Sequence, residues 1–253
     1  MSKTLEFTRL ILPGSVARGL SSHHKQRLVM LTSMMRDLDL FRKLIVYASR
    51  SQKTGIQSLD QASSATLLLS FANILISKEF EIWEFLEKEN IEAEKAAFSA
   101  DLLARWEKIV DFFNDPKKKD LFHFVRNKFG FHYDWYENLH SYIDNAMAEI
   151  GDLEFWMCND MSGNDVFVSS DVVMLTVVCK KMTELGFVGT DKELVKELYK
   201  LAIEISVQIN EFCKEYFVKV LAKNLQFSDD GVRVLANVPS LSEVNLPLVV
   251  ARD

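Results

Sequence analysis

The chemistry this chain can offer is concentrated in one stretch, Val125-Arg126-Asn127-Lys128-Phe129-Gly130-Phe131-His132-Tyr133-Asp134, where an arginine, an amide and a histidine crowd together amid aromatics. Arginine presents a fixed, always charged fork of donors that matches a phosphate. Histidine titrates at about pH 6.5, so it can accept or give a proton close to neutrality. Together they form the smallest kit for RNA cleavage without a metal. His132 would activate a ribose 2′-hydroxyl or protonate the leaving oxygen. Arg126 would hold the scissile phosphate and its growing negative charge, and Asn127 would orient either one. The candidate catalytic residues are therefore Arg126, His132 and Asn127, with no metal and no cofactor required.

Geometry makes this chemistry conditional. In an unbroken helix, residues six apart lie about 240° apart around the axis. Arg126 and His132 would then flank the apolar stripe of Phe122, Val125 and Phe129 instead of meeting. They converge if Gly130 breaks the helix, or if a second subunit brings its own pair across a twofold axis. The stripe between them would suit the seam of a homodimer.

The local signals place the stretch across a helix end. Asp115-Pro116 pairs an N-cap residue with proline at the first helical position, so a helix begins there and includes Lys117-Lys118-Lys119. Gly130 supplies a left-handed stop. Asp134, with Glu137 three residues on, reads as an acidic capping box for a helix that ends near Ile150. Phe131, His132 and Tyr133 then fall in the joint, with a continuous kinked helix as the alternative.

The remaining pattern is also helical. Apolar residues recur at three and four over Ser22–Arg50, over Leu59–Lys88, and from Ser99 through Phe113. Ser169 or Ser170 caps a helix reaching Leu185 and stopped by Gly186, and Thr190 with Glu193 forms a capping box for a last helix to about Lys223. Leu153–Cys158 and Val166–Val168 read as a short β-hairpin around an Asn/Asp-rich loop. Its loop lacks the glutamate a calcium site would need, and turn chemistry explains it. Residues 1–21 read as an arm docked on the body. Residues 225–253 read as a surface tail with room for one strand. The sequence thus predicts an all-α, multi-helix bundle with long amphipathic helices and a small β-hairpin, one helical domain over residues 1–253.

Composition limits the partners. The chain has 253 residues and a net charge of −6. Proteins that coat long nucleic acids are basic, because phosphate neutralisation drives that binding; a pocket for a single phosphate is still compatible with this balance. Cys158, Cys179 and Cys213 are widely separated with no CxxC pair, which predicts reduced thiols and a cytoplasmic location. The N-terminus lacks a signal-peptide pattern. The longest apolar run, Ala65–Ile76, falls short of the about 20 residues of a membrane span.

At Arg126-Asn127-Lys128-Phe129-Gly130-Phe131-His132 the chain resembles HEPN domains, whose Rx4–6H motif often has a polar residue directly after the arginine, as Asn127 is here. The resemblance covers these seven residues, within a helical core from about 59 to 150. It implies an all-helical, commonly dimeric fold and a metal-independent endoribonuclease of a toxin–antitoxin or defence system. It also implies RNA as substrate, and an antitoxin or other regulatory protein as partner. Arg126 and His132 carry over as the catalytic pair, with Asn127 as their support. Some members carry a modifiable tyrosine two residues after the histidine; Asp134 stands at that position here.

The same residues have a structural reading. An arginine in a last helical turn is favoured by the helix dipole, and a histidine after a stop glycine can be a hydrogen-bonded core residue. The stretch would then stabilise a joint or a dimer seam in a non-catalytic HEPN-like interaction module. Elsewhere, His23-His24 reads as a solvated helix start. His123 and Asn127 share a helix face without a third ligand, and His140 and Asp144 form a surface pair. Lys117–Lys119 read as a solvated first turn, although they could steer a phosphate. Trp83, Trp106, Trp135 and Trp156 read as core. The sequence contains no P-loop, GxGxxG, GxSxG or HExxH motif.

Overall fold

The computed structural model describes residues 3–48, 56–130, 137–150, 168–222 and 228–238. The fold is an all-α multi-helix bundle organised around one element, α3 (Gln57–Lys88). Its buried residues, among them Leu69, Ala72, Leu75, Phe80, Ile82, Trp83 and Leu86, spread over more than one side of the helix. A helix apolar on several sides must be covered on several sides. Accordingly α2 (Ser22–Ala48), α5 (Pro116–Val125), α7 (Val168–Glu184) and α8 (Asp191–Tyr216) all pack on it. α4 (Ala100–Asn114) closes the bundle against α5 and α8, and α6 (Glu137–Ile150) lies along α7. A short first helix, α1 (Gly14–Gly19), precedes α2.

The apolar run Ala65–Ile76 belongs to a longer stretch than the sequence suggests. The most apolar 18-residue window of α3 has a mean hydropathy of 1.3, enough by length and composition to cross a membrane, and 33% of it is buried. Asn73, Ser77 and Glu79 of the same helix are buried against neighbouring elements, as in the central helix of a bundle. Glu79 is fully buried, and neither carboxyl oxygen has a hydrogen-bond partner. Burial drives its pKa well above the ordinary carboxylate range. The Ser206 hydroxyl and the Arg42 charge lower it only in part. One turn beyond Ser206, Asn210 donates to Asp39 at 2.7 Å, so α2 and α8 share a polar contact as well as an apolar one.

The helix boundaries follow the capping signals. Ser99 caps α4 by accepting from the Leu102 N–H at 3.3 Å. Asp115 accepts from the Lys117 N–H at 3.0 Å, with Pro116 as the first residue of α5. Gly186 ends α7 with φ at +82°. Its N–H reaches Thr183 O at 2.9 Å and that of Phe187 reaches Met182 O at 3.0 Å, the paired bonds of a Schellman stop. Glu193 accepts from the Thr190 N–H at 2.8 Å and completes the capping box of α8.

Several features depart from the sequence expectations. A 3-10 turn, Ile91–Ala97, follows the left-handed Asn90 (φ 53°) between α3 and α4. α8 runs into a π turn, Phe217–Leu221. The N-terminal arm forms strand β1 (Lys3–Ile11), and part of the C-terminal tail forms β2 (Ser228–Val238). The two pair antiparallel from Lys3 with Val238 to Ile11 with Ser228, with one irregularity between Thr8 and Leu10. The N-terminal arm and this part of the tail are therefore tied to each other. The hairpin expected over 153–168 lies outside the described residues, except that its last residue, Val168, opens α7.

Candidate functional site

The site is built on α5. Its inward residues Leu121, Phe122 and Val125 have no solvent exposure. After Val125 the hydrogen-bond ladder widens into a π turn, Arg126–Gly130, which packs on α3. Such turns carry an extra residue within a helix and recur at functional sites. The sequence predicts a regular helix through Phe129; the structure replaces its last turn with this wider one. Phe129 packs edge-on against Phe124 at 5.9 Å. Both rings join Ile143 and Ala146 of α6 and Val173 and Val177 of α7 in a small second apolar cluster. The stripe assigned to a dimer seam is thus used up inside the chain: Phe122 and Val125 are wholly buried, and Phe129 is half-buried among its own helices.

Arg126 opens the π turn with its side chain 25% exposed. Its guanidinium carbon lies 5.7 Å from the centre of the Phe80 ring. Nη2 lies 3.4 Å from a carboxylate oxygen of Glu84, one turn further along α3. The ring of His123 rests 5.4 Å from the same Phe80 centre, tilted by 48°. Asn127 Nδ2 is 2.9 Å from His123 Nε2. The two side chains are within hydrogen-bonding distance, and which of them donates depends on the imidazole tautomer. Phe80 is therefore a floor shared by a guanidinium and an imidazole, with Glu84 and Asn127 each holding one of them.

Arg126 and Asn127 thus stand side by side at the end of α5, as expected, but they serve different partners: Arg126 is tethered to α3, and Asn127 is tethered to His123. His132, the third candidate, lies outside the described residues, as do Trp135, Trp156 and Cys158. The sequence pairs His123 with Asn127 but not with Arg126, although the three-residue step between His123 and Arg126 places them on one side of a helix. Glu84 and Phe80 were not recognisable from the motif, because they come from α3, some forty residues earlier in the chain.

The lesser candidates resolve into structural contacts. Lys117 Nζ reaches the Gly186 carbonyl at 3.3 Å, and Lys118 sits 5.3 Å from the Phe112 ring centre. The first turn of α5 is therefore partly tied down. His23 Nε2 lies 2.9 Å from Glu89, and His24 Nδ1 lies 3.1 Å from the Ser21 hydroxyl. Trp83 and Trp106 are core, with Trp83 stacked on Phe113 at 4.9 Å. Cys179 and Cys213 are buried free thiols, with burial pushing them up to about 11 and about 12. Among the described residues no three His, Cys, Asp or Glu side chains group as metal ligands.

Comparison of the chain with models of protein families, with curated proteins and with solved structures gives no match. The reading of the site therefore rests on its residues and their geometry.

Proposed function

We propose that the chain is a HEPN-like, metal-independent RNA endonuclease of a toxin or defence system, acting as a cytoplasmic homodimer whose seam lies elsewhere than the Phe122, Val125 and Phe129 stripe, with Arg126 and His132 as its catalytic pair and Asn127 as their support. The observation that carries this reading is the placement of Arg126. Its guanidinium is braced by Phe80 and Glu84 yet remains a quarter exposed, at the head of a π turn with Asn127 beside it. A braced, partly exposed fork suits capture of one phosphodiester without a large basic surface, in keeping with a net charge of −6. Gly130 closes the same turn two residues before His132.

The test is cleavage of single-stranded RNA in EDTA. The expected products end in 2′,3′-cyclic phosphate. Loss of an acid–base group costs about 10²–10⁴-fold in rate, so His132→Ala should cut cleavage by at least that lower bound with its melting temperature unchanged. Equal cleavage by wild type and His132→Ala would refute the reading.

One observation favours a second reading, the non-catalytic interaction module. Arg126 already has an anionic partner and an aromatic platform within its own chain, so its presence is explained without a substrate. Under this reading Arg126→Ala lowers the melting temperature or dissociates a dimer, and wild type never cleaves RNA.

A further inference from the structure

The sequence motif leaves His123 and Glu84 without a role; Glu84 pairs with Arg126, and His123 shares the Phe80 ring with it. His123 and Arg126 are one turn apart and lie 5.4 and 5.7 Å from the centre of one Phe80 ring. Phe80 is itself 3% exposed, a buried floor under two polar groups that reach solvent. Asn127 engages His123 Nε2, so Nδ1 is the ring nitrogen this contact does not hold. Glu84 is the one anion paired with Arg126 among the described residues, at 3.4 Å, and its side chain is 48% exposed. An ion pair this open to water is weak and exchangeable.

We propose that His123 and Arg126 form a two-donor cradle for one RNA phosphodiester over Phe80, with Glu84 holding the arginine until the phosphate displaces it. The inference rests on the ribonuclease reading of this site and adds to it a phosphate-binding histidine and an internal competitor. Phosphate in the cradle accepts from the guanidinium fork and from His123 Nδ1–H. Asn127 acts as a positioning residue by holding the His123 ring through Nε2. Glu84 acts against binding, because its carboxylate competes with the phosphate for the same guanidinium.

The experiment measures binding of an uncleavable 2′-O-methyl RNA by fluorescence anisotropy at fixed ionic strength, with inorganic phosphate as competitor. Wild type, Arg126→Gln, His123→Gln and Glu84→Gln are compared after their melting temperatures are checked. Arg126→Gln should abolish the phosphate-competed binding. His123→Gln should weaken it about 10-fold, the loss of one charge-assisted hydrogen bond. Glu84→Gln should tighten it about two- to fivefold, the release of an exposed ion pair. If His123→Gln and Glu84→Gln bind as wild type does while Arg126→Gln loses the RNA, the cradle is wrong and the role of Arg126 stands. If wild type fails to bind, or Arg126→Gln binds as wild type does, both this inference and the ribonuclease reading of the arginine fall.

Discussion

Glu79 is the residue whose replacement most directly tests the packing of the bundle. It sits in the second half of α3 with no solvent exposure, and neither carboxyl oxygen has a hydrogen-bond partner. Burial raises its pKa well above the ordinary value of 4.5, with Ser206 and Arg42 opposing only in part. The sign of the linkage follows. The folded chain holds the Glu79 proton more tightly than the unfolded chain does. The contribution of this residue to stability is therefore complete below pH 4.5 and declines as pH rises through the folded-state pKa. Glu79→Gln keeps the size and the hydrogen-bonding atoms but cannot ionise.

At pH 4 the variant and the wild type both bury a neutral group of the same shape, and their stabilities should be close. At pH 7 the unfolded wild type gains free energy by ionising Glu79 while the buried side chain resists it, a cost of about 1.4 kcal/mol for each pH unit between the two pKa values that the uncharged amide does not bear. Arg42 is only half-buried, so losing the carboxylate does not strand it. For a chain of this size about 1 kcal/mol moves the melting temperature by roughly 2–4 °C. Glu79→Gln should therefore melt several degrees higher at pH 7 and within a degree or so of wild type at pH 4. Urea titrations at the two pH values should show the same difference in midpoint with unchanged slope. If Glu79→Gln differs from wild type by the same amount at both pH values, ionisation of Glu79 does not oppose folding and the burial argument fails.

Two further outcomes follow from buried groups. Arg27 is clamped between Glu94 at 2.6 Å and Glu89 at 3.4 Å and lies 5.7 Å from the centre of the Tyr216 ring. Arg27→Met removes the permanent charge between Glu94 and Glu89, whose side chain is only 10% exposed and keeps His23 beside it, so thermal melting should show a loss of up to about 3–5 kcal/mol, smaller where His23 is protonated. Cys179 and Cys213 are held at about 11 and about 12 by burial. Since the thiolate is the nucleophile, iodoacetamide at pH 7.5 should leave both unmodified in the native protein and alkylate both after unfolding, as read by mass spectrometry.

The parts of the fold legible in the sequence are those governed by adjacent residues. Asp115-Pro116, the Thr190–Glu193 box and Gly186 each act within one helical turn, and each sets a boundary where expected. The parts that were not legible depend on distant segments. β1 and β2 pair across more than two hundred residues, and no local pattern encodes that partnership. The turn at Asn90 needs a left-handed backbone that asparagine tolerates but does not require. At the site, the motif located Arg126 and Asn127 at a helix end. It could not show that Phe80 and Glu84 meet them there, because that depends on the register at which α5 packs on α3.

The position of Arg126 on its helix explains why it needs such neighbours. At about 100° per residue, Arg126 falls roughly 40° from Phe122, on the inner edge of the buried stripe, whereas His123 lies further toward solvent. An arginine at an inner edge cannot leave its charge uncompensated. The chain meets this need with a carboxylate and an aromatic face from α3. These contacts hold the guanidinium at the rim, one helical turn from the exposed His123. The packing that accounts for the arginine as a structural residue is thus also what would present it to a substrate. Its burial does not separate the two roles; the separation lies in the exposed neighbours His123 and Glu84, which contribute little to the core and whose replacement can change binding without unfolding the bundle.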